Sequence, residues 1–99
     1  MDIDDRDILL TAAERIERLA ASATSGDWRT GGLLATRPEV IAHRSDGSTE
    51  HVAEARAGSA RWIAAFSPEL AGPLADWLRS TSDDSAVEFA RAVLRRLPG

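Results

Sequence analysis

Alanine is the most frequent apolar residue of this chain, and its small side chain limits the volume of the core that the chain can build. Of the 43 apolar residues among 99, 18 are alanine, 21 are leucine, isoleucine, valine or phenylalanine, and three are tryptophan. A chain of this length forms one domain and buries roughly 60–70% of its unfolded surface. We therefore predict a single domain over residues 1–99, with helices packed closely over small side chains and the tryptophans supplying much of the core volume.

Composition and charge exclude several classes of protein. The chain has no cysteine, which excludes disulfides and thiolate zinc sites. No apolar run is long enough for a membrane span, and the acidic start MDIDDRDILL is unlike a signal peptide, so we expect a soluble, cytoplasmic protein with no membrane partner. The net charge of −4 argues against nucleic acid as a partner. All 12 basic residues are arginine, which with the abundant alanine is typical of a GC-rich genome.

The first helix is predicted over residues 4–23. Its N-terminal acids suit the positive end of the helix dipole, and Gly26 is the expected C-terminal stop. Apolar residues recur at spacings of three and four, which predicts one buried stripe. The stripe contains Leu9, Ala12, Ile16, Leu19 and Ala23.

Residues 33–56 are typical of β structure. Pro38 should divide a short strand 33–36 from a longer strand 39–44, and Asp46-Gly47 predicts a two-residue hairpin turn. A turn of that length sets the register between the strands. It pairs Ile41 with Val52, Ala42 with His51, and His43 with Glu50, and it makes Ile41 and Val52 the buried face.

Three helices are predicted after residue 58. Ser59 should cap the first, and Ser67 with Pro68 should begin the second, where Pro73 either kinks the helix or marks its true start. Ser85 and Glu88 form a capping box for the third. Its predicted core face is Ala86, Phe89, Ala90, Val93 and Leu97. The fold class is thus α+β: an N-terminal helix, a small antiparallel sheet with a hairpin around Asp46-Gly47, and three C-terminal helices.

No catalytic constellation is present in the sequence. The serines occupy cap and turn positions, and neither G-x-S-x-G nor a phosphate-binding glycine motif occurs, so we expect no enzyme and no cofactor. His43, Glu50 and His51 are the only conceivable metal ligands. The predicted register separates the histidines, and a one-residue slip would bring them onto one face. We expect no metal site, and keep a small-ligand or metal-binding protein that uses these hairpin residues as the alternative.

The aromatic residues leave two interpretations open. Trp62 and Phe66 lie four positions apart, as neighbours on one helix face do. They and Trp77 either fill the core or remain partly exposed, because so small a core has difficulty enclosing three indoles. On the second interpretation Trp62, Trp77 and Leu78 bind a partner, either another protein or a second copy of the chain. The chain would then be a non-catalytic protein-interaction module.

The order of the motifs resembles a broad class of small tailed-phage and actinobacterial proteins of unassigned function. Those proteins have a Gly-Pro-Trp motif after an N-terminal helix, then an Ala-x-aromatic-Ile-Ala segment, a proline and a leucine pair. The matching positions are Gly26, Trp28, Ala60, Trp62, Ile63, Ala64, Pro68, Leu74 and Leu78, with Asp27 in place of the motif's proline. The resemblance implies an accessory protein of a phage, a prophage or a host derived from one. It also favours a structural role for Trp28, folded back over the first helix and the helix at 63–66.

Overall fold

The computed structural model describes residues 3–31 and 38–97. Within these residues the chain forms four α-helices, one 3-10 turn and one antiparallel sheet of three strands in the order β1-β2-β3. This confirms the predicted α+β class and the order of its elements. In chain order they are α1 (Ile3–Ser22), β1 (Asp27–Gly31), β2 (Glu39–His43), β3 (Thr49–Glu54), α2 (Ala57–Ala65), the 3-10 turn (Pro68–Leu70), α3 (Ala71–Ser80) and α4 (Asp84–Arg96).

The chain divides into two compact units. The helical unit comprises Met1–Ala21 with Ala71–Gly99, and the sheet unit comprises Ser22–Leu70. The single domain over 1–99 stays a prediction. The predicted strand 33–36 lies outside the described residues.

Small side chains build the core of the helical unit. Five of the eight residues in its buried cluster are alanine, and the two largest are Leu9 and Leu78, both fully buried. Ala12, Ala13, Ala75, Ala86, Val87 and Ala90 complete the cluster. Alanine supplies most of the buried side chains where α1, α3 and α4 meet. The expectation that tryptophan fills much of the core is wrong, because Trp77 is 43% exposed.

Arginine–carboxylate pairs join the helices of this unit at its surface. Arg79 of α3 pairs with Glu17 of α1, and Arg91 of α4 donates to Asp5 of α1 at 3.2 Å. The hydrogen bond from Arg79 holds the pKa of Glu17 below its ordinary value, and the same contact raises the pKa of Arg79. Because these side chains are largely exposed, each pair contributes little to stability.

Helix starts in the helical unit differ in detail from the predictions. Pro73 is the third residue of α3, so it lies in the first turn, where the missing N–H has no intrahelical acceptor to lose. It therefore belongs to the start of a helix, not to a kink. Asp83 rather than Ser85 caps α4, accepting the Ser85 N–H at 3.1 Å. On the core face of α4, Val87 is buried and Phe89 is 37% exposed.

Three further details of the helices correct the predictions. Leu19, placed in the buried stripe of α1, is exposed. α1 ends at Ser22, four residues before the expected stop at Gly26. Pro68 begins the 3-10 turn and not α3, which starts at Ala71, so Ser67 is not the cap of that helix.

The register of the β2–β3 hairpin differs by one residue from the prediction near the turn. Ile41 pairs with His51, not with Val52. The turn contains three residues, closed by the Arg44 N–H to the Ser48 carbonyl at 3.0 Å, with Gly47 at a positive φ of 87°. A type I turn followed by a left-handed glycine accounts for this longer loop. An irregularity between Val40 and Ile41 then compensates for the shift.

The buried residues of the sheet differ from the predicted ones. Val40 and Ala42 are fully buried, whereas Ile41 and Val52 are only half-buried, so the predicted buried face is wrong. Side chains alternate between the two faces of a strand, and the covered face of β2 is the one that carries Val40 and Ala42. The Asp46 carboxylate stabilises the turn by accepting from the Ser48 hydroxyl at 2.6 Å and its N–H at 2.8 Å. These hydrogen bonds, the hydroxyl's first, lower the pKa of Asp46.

Trp28 lies in β1, opposite Ala42 of β2, and is half-buried. Its indole N–H donates to the Thr24 carbonyl at 2.9 Å, so the ring folds back over the segment that leads into the strand. Gly26 makes this turn possible. Its φ is 118°, and a Cβ at this position would lie 2.9 Å from the His43 carbonyl oxygen. The packing of Trp28 against α1 and the 63–66 helix stays a prediction.

Candidate interaction surface

α2 packs beside β1 and β2 through its smallest side chains. Ala60 is the one residue of this helix that is buried. The helix begins after Arg56, which has extended backbone angles and makes no side-chain cap, so the predicted cap Ser59 lies inside the helix. It ends at Ala65, and Phe66 caps it with an N–H donated to the Trp62 carbonyl. Pro68 disfavours helical conformation at the preceding Ser67. Close approach through alanine leaves the opposite face of α2 in solvent.

Two aromatic rings occupy that exposed face. Trp62 is 67% exposed and Phe66 is 61% exposed. Their ring centroids lie 4.6 Å apart with 28° between the planes, so the rings stack on each other and present one continuous apolar surface. Exposed aromatic surface of this kind is uncommon on a free monomer and marks interaction sites. We call Trp62 and Phe66 the aromatic pair.

Two arginines lie close to the aromatic pair in sequence. Arg61 directly precedes Trp62, and Arg56 directly precedes α2. Neither side chain forms an ion pair with another described residue, and α2 itself contains no acidic residue. Arg61 also lines a shallow cleft of about 270 Å³ beside β1, together with Thr30, Gly31, Pro38 and Ala57. Arg61 thus lies on the sheet side of α2 at the cleft beside β1, whereas the aromatic pair lies on the exposed face of the helix.

The other predicted partner-binding residues lie in the helical unit. Trp77 of α3 contacts Phe89 of α4, with ring centroids 6.0 Å apart and planes tilted by 53°. Both rings are less exposed than the aromatic pair. Leu78 is fully buried in the core of the helical unit and contributes no surface that a partner could contact. Trp62 is thus the most exposed of the three residues that the sequence singled out.

The observed hairpin register brings the two histidines onto one face of the sheet. His51 pairs with Ile41, whose side chain shares a face with His43. His51 Nδ1 lies 3.1 Å from Glu39 Oε2, and Glu50 faces the opposite side and pairs with Arg44 at 3.3 Å. In the part of the chain that the structure describes, no group of three potential ligands could hold a metal ion. The three residues named for the metal alternative are therefore not brought together.

A second cleft, of about 380 Å³, lies where β1 and β2 meet the hairpin turn. His43, Arg44 and Asp27 line it, among other polar residues. Arg44 is already bound to Glu50 and hydrogen-bonds Ser25 Oγ at 3.4 Å, and Asp27 pairs with Arg29 at 2.6 Å. The charges of this cleft are largely satisfied within the protein, which distinguishes it from the surface around Arg61.

The sequence analysis paired Phe66 with Trp62 but did not name Phe66 or Arg61 among the partner-binding residues. The spacing of Phe66 from Trp62 was a usable signal, because residues four apart on a helix are neighbours. Arg61 gave no such signal, since its unpaired state depends on which acids the fold brings near it.

Comparison with known proteins finds no similar protein. The chain matches no protein-family model, no curated protein and no solved structure. Among the described helices, none is long and apolar enough to cross a membrane.

Proposed function

We propose that this chain is a non-catalytic protein-interaction module that binds its partner through the exposed face of α2. One observation carries the proposal: Trp62 and Phe66 stack on each other in solvent, each more than 60% exposed. Tryptophan and arginine are enriched among the residues that contribute most to binding energy, and both are present here in adjacent positions. The resemblance to small phage-related proteins fits an accessory role of this kind.

The energetic argument favours a partner over an empty surface. Leaving a large side chain in water forfeits about 1.5–3 kcal/mol relative to burying it. The two rings of the aromatic pair already cover each other in part. A partner that covers their remaining exposed surface would gain most of the burial free energy that is still forfeited. The rings already contact each other, so ordering them on binding costs less side-chain entropy than ordering two isolated rings.

Affinity capture with a matched control tests the proposal. Immobilised wild-type chain, the Trp62→Ala/Phe66→Ala variant and a Leu10→Ala control are compared for the proteins that each retains from cells expressing the chain. Leu10→Ala also removes an exposed apolar side chain, but from α1. Any retained protein is then purified and its affinity for the three chains is measured by calorimetry.

We expect a partner that binds the wild type and the control with equal affinity. Its affinity for the double variant should be at least about tenfold lower, which corresponds to a loss of about 1.4 kcal/mol of binding free energy. Equal binding to all three chains would show that α2 is not the binding surface. Circular dichroism of the double variant verifies that it remains folded.

A further inference from the structure

The second cleft lies where β1 begins and β2 ends, and the described residues that line it all belong to the sheet unit. Asp27 and His43 are cross-strand partners there, so their side chains share one face of the sheet. Glu69 of the 3-10 turn lines the same cleft. Its volume of about 380 Å³ falls within the range of pockets that hold whole small molecules, about 300–1,000 Å³. We call it the strand-end cleft.

Contacts within the protein hold the walls of the strand-end cleft in place. The Arg44 side chain donates to Ser25 Oγ at 3.4 Å and pairs with Glu50 at 3.3 Å. Gly26 has a φ of 118°, and its backbone lies so close to β2 that a Cβ would be 2.9 Å from the His43 carbonyl oxygen. Because these contacts belong to the protein itself, a ligand that enters the cleft has little ordering of the walls to drive.

The ion pairs around the cleft leave one of its carboxylates without a cationic partner. Arg44 is paired with Glu50, and Asp27 is paired with Arg29 at 2.6 Å. Glu69 is exposed and forms no ion pair with another described residue. The cleft therefore carries one negative charge that the described ion pairs do not compensate, and it is complementary to a cation.

A primary ammonium group matches the charge and the hydrogen-bonding groups of this cleft. It carries three N–H donors and no acceptor. The lining residues offer acceptors at the Glu69 carboxylate, at the Asp27 oxygen that Arg29 does not contact and at the Ser45 hydroxyl. Hydrogen bonds from a cation to a carboxylate are roughly twice as strong as neutral ones. A metal ion fits less well, because no group of three potential ligands among the described residues could hold one.

We propose that the strand-end cleft binds a small primary amine. The ammonium donates to the Glu69 carboxylate, the free oxygen of Asp27 accepts a second hydrogen, and the remaining volume takes a short carbon chain. His43, one of the residues considered for small-ligand binding in the sequence, lines the same cleft. Glu50, another of them, acts through Arg44, whose side chain it holds at the wall. This site is separate from the aromatic pair, which does not line the cleft.

Titration of the isotopically labelled chain, followed by two-dimensional NMR, tests the proposal. The probe is n-butylamine at neutral pH, with n-butanol as its uncharged analogue and tetramethylammonium as a cation without N–H donors. We expect saturable shifts of the Gly26 and Ser45 amide signals with the amine and with neither analogue. Glu69→Gln should weaken binding at least about tenfold. Glu88→Gln, the matched control, removes the same charge from the exposed surface of α4 and should leave binding unchanged.

Several outcomes would overturn the proposal. The absence of saturable shifts with the amine would exclude the site, and equal shifts with tetramethylammonium would show that only charge attracts the ligand. Equal weakening by Glu69→Gln and Glu88→Gln would lead to the same conclusion.

An end-blocked tripeptide with a central lysine distinguishes a free amine from a lysine side chain of another protein. We expect it to bind more weakly than n-butylamine, and tighter binding would exclude a small free amine as the ligand. The Trp62→Ala/Phe66→Ala variant should bind the amine as the wild type does. Loss of amine binding in this variant would contradict a site separate from the aromatic pair.

Discussion

The helical unit and the sheet unit accommodate the same alanine-rich composition in different ways. In the helical unit, α1, α3 and α4 bury eight residues in one cluster, and Leu9 and Leu78 are completely enclosed. In the described part of the sheet unit only four residues are buried: Val40, Ala42, Ala60 and Ser67. Among the described residues the sheet unit buries fewer side chains than the helical unit, yet it carries Trp62 and Phe66, the most exposed rings of the described chain.

The difference shows what a small side chain does at a contact. Alanine at the meeting faces of three helices yields a closed core, because each helix covers the others. α2 packs on β1 and β2 and buries only Ala60 completely. The rings of Trp62 and Phe66 remain exposed. We infer that stability depends mainly on the helical unit and binding mainly on the sheet unit.

The largest effect should come from truncating the core of the helical unit. Leu78→Ala should lower the free energy of unfolding by about 3 kcal/mol, because it removes a fully buried side chain and leaves a cavity. Val40→Ala, its counterpart in the sheet unit, should cost about 2 kcal/mol, since fewer atoms are lost. Urea unfolding followed by circular dichroism measures both. A greater cost for Val40→Ala would contradict the ranking of the two cores.

Glycine substitutions test the backbone of the sheet unit. Gly26→Ala should destabilise the chain by about 1–3 kcal/mol, because the residue has positive φ and the new Cβ would collide with the His43 carbonyl. Gly58→Ala is the matched control. Gly58 lies in α2 with open space around its Cα, so the alanine should be neutral or stabilise by about 0.5 kcal/mol. Thermal unfolding of the two variants measures the difference, and equal melting temperatures would rule out strain at Gly26.

The aromatic pair should matter little for stability. Trp62→Ala should cost less than about 1 kcal/mol, mostly from the lost stacking with Phe66. Trp77→Ala should cost more, because Trp77 is more deeply buried and contacts Phe89 in the helical unit. Denaturant midpoints of the two variants provide the comparison. Should Trp62→Ala unfold the chain as readily as Trp77→Ala, the aromatic pair would be structural and the division between stability and binding would fail.

The smallest expected effect is on stability at acidic pH. One carboxylate in each unit contributes to it. The pKa values of Glu17 and Asp46 are lowered in the folded chain, by hydrogen bonds from Arg79 and Ser48 respectively. Their stabilisation is thus present above the unfolded pKa and is lost as pH falls through the lowered folded pKa of each carboxylate. Glu17→Gln and Asp46→Asn should each reduce the difference in stability between neutral and acidic solution. An unchanged pH dependence in both variants would show that these carboxylates do not contribute to it.

Local patterns in the sequence were enough to predict the class and order of the elements. The periodicity of α1, the proline near the start of α3 and the Asp-Gly turn each depend on neighbours within a few positions. Even so, the turn length was off by one residue. Asp46-Gly47 suits both two-residue and three-residue loops, and only the pairing of whole strands selects between them.

The candidate site was predicted in part. The sequence singled out Trp62 and allowed that one or two tryptophans stay exposed, because a core rich in alanine cannot enclose three indoles. It also selected Leu78, which the structure buries. Leucine at helical spacing has the same pattern whether or not another helix covers it, so α1 and α4 decide its burial.

The sequence by itself determined that this chain would build helices with alanine faces, a small antiparallel hairpin and no thiol chemistry, because these follow from composition and local spacing. Only the tertiary structure decided which apolar residues are covered. Burial depends on the partner that each helix face meets, and that partner is set by contacts far apart in the chain. The burial of Ala60 against the sheet, the burial of Leu78 among three helices and the exposure of Trp62 and Phe66 are consequences of such contacts. The proposed binding surface depends on the last of these.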